Sequence, residues 1–108
     1  MTDEEFEEHV RRALDSLPDE IELENVAVVV EEESLESPAI LGSFSGYPHA
    51  YGTPAGARPA KGVVYRRPLL ASFPDPDELE RQIRITVLHE VAHYFGIDED
   101  RIAELGYG

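Results

Sequence analysis

The stretch that decides the fold reads His89-Glu90-Val91-Ala92-His93 and lies inside a predicted long helix. Four residues of α-helix advance about 6 Å and turn about 40° past a full circle, so both histidines project from one helix face, one turn apart. At that separation two imidazole nitrogens can bind one metal ion at about 2.0–2.1 Å. Glu90 is rotated by about 100° from His89, so it can reach a water on that metal more easily than the metal itself. The pattern predicts a metal site with a neighbouring base.

Signals on both sides of this stretch define the helix that carries it. Asp75 can cap its N-terminus, Pro76 suits the first helical position, and Glu78 is placed for a capping box. An apolar stripe then continues to Phe95, and Gly96 fits the left-handed position that ends a helix. We therefore expect one long helix between the proline and the glycine.

The residues after this glycine supply candidates for a third ligand. A helix that ends at Gly96 lets the chain turn back sharply, so a residue three positions further on can face the metal. Glu99 occupies that position and is the predicted third ligand, while its neighbours Asp98 and Asp100 remain alternatives. Asp98 also suits the N-cap of a last short helix that runs to Leu105.

This set of donors favours one particular metal. Two histidines and one carboxylate leave the fourth position of tetrahedral zinc for water, as a catalytic site requires. The chain contains no cysteine, so no thiolate can bind the metal. Nitrogen and oxygen donors also admit other divalent metals, but the geometry favours Zn²⁺, one ion per chain.

The N-terminal segment predicts an amphipathic helix over residues 2–17. Thr2 and Glu5 form a capping-box pattern, and apolar residues recur at helical spacing after them. Pro18 follows directly and is expected to stop the helix.

Three short strands are expected in the middle of the chain. Residues 25–31 contain a β-branched apolar run that predicts a strand covered on both faces. Residues 41–47 suggest an edge strand within the Gly/Pro-rich stretch 37–62, which otherwise predicts a connector or part of a binding site. Residues 62–67 predict a third strand, closed by Pro68.

Length and charge limit the classes of protein to which the chain can belong. Its 108 residues fit one domain, residues 1–108. The formal net charge of −14 repels phosphate backbones, so no nucleic-acid partner is expected. No stretch approaches the roughly 20 apolar residues of a membrane span, and the N-terminus lacks the pattern of a secretory signal. A cytoplasmic protein without a membrane partner is the expectation.

The segment from His89 to Glu99 resembles the zincin metallopeptidases. Its extended form is similar to the metzincin pattern with an acid in place of the third histidine, as in the snapalysin-like branch. The chain is still more similar to a family of very small bacterial zincin-like metallopeptidases, formerly a domain of unknown function. The resemblance covers nearly the whole chain, and its further stretches are residues 14–18, 25–31, 64–68 and 105–107.

This resemblance implies an α+β fold with a small, mostly antiparallel or mixed sheet packed on the active-site helix. It implies a zinc-dependent hydrolase that cleaves a peptide or protein substrate, with Glu90 as the general base. His89, His93 and Glu99 would be the metal ligands. The chain departs from the metzincins because Met1 is its only methionine, so it lacks a Met-turn, and because only nine residues follow the third ligand.

Peptide hydrolysis also needs an electrophile that stabilises the oxyanion. The candidates are Tyr107, Tyr65, Arg66 and His49. Because so few residues follow Glu99, half of the usual substrate groove is expected to be absent. We expect the protein to be a monomer or a weak homodimer, and in a homodimer the second chain could complete the groove.

Three other functions compete with hydrolysis. A metal-binding module without catalysis fits the incomplete groove, but metal binding does not require Glu90. A small metal-dependent ribonuclease uses a similar pair of histidines, but it lacks this glutamate, and the net charge of −14 would repel RNA. A structural interaction protein without metal is the third alternative.

Overall fold

The computed structural model describes residues 1–17, 26–45 and 60–106 of the chain. Several sequence predictions fall outside these residues, including Pro18 as a helix stop, most of the Gly/Pro-rich stretch, His49 and Tyr107. The described elements are, in chain order, α1 (Asp3–Asp15), β1 (Val26–Glu31), β2 (Gly42–Ser45), β3 (Ala60–Tyr65), α2 (Arg66–Ser72), α3 (Pro76–Tyr94) and α4 (Glu99–Glu104).

Helix α1 begins with a reciprocal cap. The Thr2 hydroxyl accepts a hydrogen bond from the Glu5 backbone N–H at 3.1 Å, and the Glu5 carboxylate accepts one from the Thr2 N–H at 3.2 Å. These bonds satisfy backbone donors that a helix start leaves unpaired. Phe6, Val10 and Ala13 are buried on the predicted apolar face. The N-terminal helix is therefore confirmed, although it ends at Asp15 rather than at residue 17.

The three strands form one mixed sheet with the order β1-β3-β2. The central strand β3 pairs in parallel with β1, where Val28 lies opposite Gly62. It pairs antiparallel with β2, where Gly42 lies opposite Val64. Helices α1 and α3 supply most of the core that packs on this sheet, which confirms the predicted α+β class. Among the strands that the structure describes, the predicted edge position of β2 is confirmed as well.

Strand β1 corrects one expectation, because its apolar run predicted a strand covered on both faces. Its side chains instead alternate between partly buried and exposed, and Val29 is 36% exposed. Val28 and Val30 pack against the core, whereas Ala27 and Val29 point to the opposite face. The β-branched run therefore indicated strand propensity correctly but overestimated burial, since only the alternate side chains Val28 and Val30 face the core.

A short helix replaces the predicted end of the third strand. Strand β3 begins earlier than expected, at Ala60, and ends at Tyr65, where Arg66–Ser72 starts α2. The prediction that Pro68 closes the strand is wrong, because this proline is the third residue of α2. In the first helical turn the missing N–H of proline is not needed by the hydrogen-bond ladder. Pro68 and Leu69 are buried, so packing stabilises this helix.

Helix α3 begins as the sequence predicts. The Asp75 carboxylate accepts a hydrogen bond from the Glu78 N–H at 3.0 Å, and Pro76 is the first helical residue. The Glu78 carboxylate does not complete a capping box, because it accepts hydrogen bonds from Arg81 and Gln82, both at 2.8 Å. The predicted N-cap at Asp75 is therefore confirmed, whereas the predicted capping box with Glu78 is not formed.

The core lies between α1, α3 and one face of the sheet. Its buried members are Phe6, Val10, Ala13, Val64, Leu69, Leu79, Ile83, Val87, Leu88, Ala92 and Ile102. Since α3 supplies five of these eleven residues, its rotation about its own axis is fixed, and so is the direction of its polar face. None of the described helices combines the length and the apolar composition that a membrane-spanning helix requires.

Candidate metal centre

His89 and His93 lie in the last turns of α3, where both side chains reach the surface. Leu88 and Ala92, which directly precede them, are fully buried, whereas the side chain of His93 is 47% exposed. The two Nε2 atoms are 2.8 Å apart, and the ring centroids are 4.6 Å apart. The four-residue spacing therefore brings one nitrogen of each ring to the same point at the protein surface.

The end of α3 turns the chain back toward these histidines. Gly96 adopts a φ of +75°, which an L side chain rarely tolerates. Its N–H donates to the His93 carbonyl, and the Ile97 N–H donates to the Ala92 carbonyl, both at 3.0 Å. This pair of bonds is the Schellman arrangement, which satisfies carbonyls that a helix end leaves unpaired. The position predicted for the helix-ending glycine is confirmed.

Helix α4 then presents a carboxylate to the histidines. The Asp98 side chain accepts a hydrogen bond from the Arg101 N–H at 2.8 Å, which confirms its predicted role as N-cap. Ile102 is fully buried and anchors the helix in the core. Glu99 is the first residue of α4, and its Oε1 atom lies 2.8 Å from the Nε2 atom of His93.

Three side chains form a group that could hold a metal ion. His89, His93 and Glu99 each offer one ligand atom, and these atoms all lie within 4.8 Å of one another. The Glu99 Oε1 atom is 3.6 Å from the Nε2 atom of His89. Neither neighbouring aspartate belongs to this group in the part of the chain that the structure describes, and the carboxylate of Asp98 is engaged in its cap.

The dimensions of this triangle fit a zinc ion. Tetrahedral zinc with ligand bonds of about 2.0–2.2 Å keeps its ligand atoms about 3.3–3.6 Å apart. The three edges measure 2.8, 2.8 and 3.6 Å, so small side-chain movements would match them to the ion. Two imidazoles and one carboxylate also leave a fourth position open, which distinguishes catalytic from structural zinc sites. The net charge of −14 adds an attractive field for cations.

Glu90 lies on the adjoining side of α3, next to the sheet edge. It is partly buried, and its Cγ atom is 3.2 Å from the point that a Cβ atom would occupy at Gly42. The same point is 2.9 Å from Cγ2 of Thr86, one helical turn before Glu90. The side chain proposed as the base therefore packs against strand β2.

An aromatic stack continues this contact between α3 and β2. The rings of Phe44 and Tyr94 are stacked at a centroid distance of 4.6 Å and an angle of 20°. Phe95 meets Tyr94 edge-on at 5.2 Å. Neither Gly42 nor this stack is predicted by the sequence patterns above. The available signal was a glycine inside a strand pattern, which marks a close approach of another chain segment.

Tyr65, a predicted oxyanion electrophile, lies on the far side of the sheet. Its hydroxyl is 3.1 Å from the Ser43 hydroxyl. Its neighbour Val64 belongs to the core and lies opposite Gly42, which faces Glu90. Because adjacent strand residues point to opposite faces, Tyr65 points away from the base.

Arg66, the second such candidate, is engaged elsewhere. Its Nε atom lies 2.7 Å from a carboxylate oxygen of Asp3 and 3.3 Å from one of Glu32. These ion pairs connect the starts of α1 and α2 with the segment after β1, not with the histidines. The two remaining candidates, His49 and Tyr107, lie outside the described residues.

Comparison with known proteins shows to which family the chain belongs. A family model described as a zincin-like metallopeptidase matches residues 23–108. The match includes the sheet, α3 and α4, and with them all three candidate ligands. It does not include α1, to which the sequence resemblance had been extended. A search of the curated proteins finds no match to the chain.

Proposed function

Because the chain belongs to the zincin-like metallopeptidase family, we propose that it is a zinc-dependent hydrolase that cleaves peptide bonds. One observation carries this proposal: one ligand atom each of His89 and His93, on the helix that also carries Glu90, and of Glu99, on α4, lie within 4.8 Å of one another. Three ligands would suffice to hold a metal, so the adjacent glutamate points to a reaction.

Each of these side chains has a distinct role in the proposal. His89 and His93 would hold the zinc through Nε2, and Glu99 would hold it through a carboxylate oxygen. When bound, zinc supplies a Lewis acid that lowers the pKa of water toward about 7 and polarises a carbonyl group. The Glu90 carboxylate accepts the proton that the attacking water loses. It then donates that proton to the nitrogen of the leaving amine, so it acts first as base and then as acid.

A peptide or protein is the substrate that the exposure of the site supports. The side chains of His93 and Glu99 are 47% and 65% exposed. Sites for small molecules bury about 70–90% of their ligand in a concave pocket, which so open a group does not provide. An extended chain could cross an open site of this kind. The net charge of −14 disfavours a nucleic-acid substrate.

Metal content is the first test of this proposal. We expect about one zinc ion per chain in protein purified without a metal-affinity tag, and loss of that zinc in the His93→Ala variant. Elemental analysis measures both. Absence of stoichiometric metal in the wild-type protein, even after zinc is added back, would contradict the proposal.

The second test separates hydrolysis from metal binding alone. Glu90→Gln keeps the size of the side chain but removes the base, so zinc should stay and cleavage of a peptide library should stop. The control Glu80→Gln makes the same change at an exposed position of the same helix and should cleave normally.

A metal-binding module without catalysis is the second candidate, favoured by the exposure of the ligands. It predicts zinc binding but no cleavage by any of the three proteins.

A further inference from the structure

Gly42 matters because it has no side chain, and not because of its backbone conformation. The described glycines with a positive φ are Gly96 and Gly106, and Gly42 is not among them. A Cβ atom at Gly42 would lie 2.9 Å from Cγ2 of Thr86 and 3.2 Å from Cγ of Glu90. Real Cβ atoms essentially never approach another heavy atom to less than 3.0 Å, so a side chain here would displace its neighbours.

The residues around Glu90 restrict its side chain from three directions. Thr86, Glu90 and Tyr94 follow one another at four-residue intervals and form one row on α3. Thr86 is only 8% exposed, and Tyr94 is held in its stack with Phe44. Gly42 faces the middle of this row from β2. A glutamate side chain has three rotatable bonds, so such surroundings decide where its carboxylate lies.

We propose that Gly42 is a positioning residue for Glu90. The missing side chain leaves the space in which the Glu90 methylene groups lie, and this fixes the distance between the carboxylate and the histidine pair. A methyl group at position 42 would push Glu90 Cγ away from β2 and move the carboxylate with it. The catalytic part of this inference rests on the proposed function, because it takes Glu90 as the base.

The test is a pair of matched substitutions in zinc-loaded protein. We expect Gly42→Ala to lower kcat by up to about 10-fold, because a contact of 3.2 Å makes Glu90 move by a few tenths of an ångström, and a displacement of about 1 Å costs a reaction roughly 100-fold. The Michaelis constant and the zinc affinity should stay near wild type, because no ligand moves. Gly62→Ala is the control: its Cβ would be equally crowded, at 2.9 Å from Cε2 of Phe44, and could affect Glu90 only indirectly, through the stack of Phe44 on Tyr94. Its kcat should fall less than that of Gly42→Ala, and an equal loss in both variants would overturn the inference.

A second variant covers the case in which Gly42→Ala does not fold. In Gly42→Ala/Thr86→Ser the methyl group that makes the 2.9 Å contact is removed, while the contact with Glu90 remains. We expect this double variant to fold and to keep the reduced kcat. Recovery of wild-type kcat would mean that Gly42 acts through Thr86 and not through Glu90, and would overturn the inference.

Crystal structures of the same variants separate this inference from the proposed function. If wild-type protein binds zinc but cleaves no peptide, the proposed function fails. The side-chain torsion angles of Glu90 then still test whether Gly42 positions this side chain. Changed torsions in the alanine variant at position 42, but not in the one at position 62, support the role of Gly42. Unchanged torsions in both overturn it.

Discussion

The Oε1 atom of Glu99 lies 2.8 Å from the Nε2 atom of His93, although the two residues belong to different helices. The chain between them reverses at Gly96 and starts a new helix at the Asp98 cap. Because Ile102 is fully buried, α4 is anchored in the core, and this anchor holds Glu99, three residues earlier in the same helix, beside the histidines. Two independent local structures, a helix end and a helix cap, therefore determine which of three adjacent acids reaches the site.

This placement predicts that Glu99 dominates metal affinity among the acids of α4. Glu99→Gln removes a charged ligand but preserves the side-chain volume. We expect the dissociation constant for zinc to rise by more than the roughly 10–100-fold that loss of an outer-sphere partner costs. Competition with a chromophoric chelator measures this change.

The neighbouring acids supply matched controls for that measurement. Asp100→Asn removes the same charge one residue further on and should change zinc affinity little. Asp98→Asn should also bind zinc normally, because asparagine caps a helix as well as aspartate does. The assignment of the third ligand is wrong if Asp100→Asn weakens zinc binding as strongly as Glu99→Gln.

Gly96 should matter through its backbone alone. Apart from its chain neighbours, no atom of the described residues lies within 4 Å of the point that a Cβ would occupy there, so a methyl group meets no steric obstacle among them. Its φ of +75° is nevertheless left-handed, and an alanine in that conformation costs roughly 1–2 kcal/mol. We expect Gly96→Ala to lower the free energy of unfolding by about that amount, as measured with urea, and to weaken zinc binding because Glu99 lies beyond the turn. Gly96→Asn should cost less, since asparagine tolerates this region better, and equal losses in both would argue against the backbone explanation.

The candidate site could be predicted from sequence wherever local signals determine the geometry. The spacing of His89 and His93 requires only a helix, and Asp75 and Gly96 mark its ends through their own side-chain and backbone chemistry. Glu99 could be placed for the same reason, because the turn at Gly96 and the cap at Asp98 are both local. Each of these features depends on residues within about one helical turn of one another.

Features that depend on tertiary packing could not be predicted in this way. Helix α2 contains Pro68 and has no side-chain cap, so its stability comes from buried residues such as Leu69. The exposure of Val29 follows from the edge position of β1, which a strand pattern does not reveal. The contact between Gly42 and Glu90 joins residues far apart in sequence. In each case the deciding neighbour belongs to another part of the chain.

The cap of α1 should make stability depend on pH in a defined direction. Hydrogen bonds from Thr2, above all from its backbone N–H, lower the pKa of the Glu5 carboxyl below its usual value. A carboxyl with a lowered pKa stabilises the folded state fully above its usual pKa and loses this effect as pH falls through the lowered one. Glu5→Gln keeps a capping-box side chain but does not titrate. The stability advantage of wild type over this variant, measured by urea unfolding, should therefore shrink as the solution is acidified below about pH 4.5, and a constant difference would contradict the expectation.

Zinc should stabilise the fold, and the pattern among variants should separate ligands from the base. A ligand that binds only the folded state at 100 times its dissociation constant adds about 2.7 kcal/mol, which for a domain near this size raises Tm by the order of 10 °C. We expect that rise in wild type and in Glu90→Gln, because the base does not hold the metal. His93→Ala and Glu99→Gln should show little rise at the same zinc concentration, since each lacks one of the three converging ligand atoms. Calorimetry with and without a chelator measures the shift. If Glu90→Gln lost the rise as completely as His93→Ala, Glu90 would be a ligand and its role as a base would have to be abandoned.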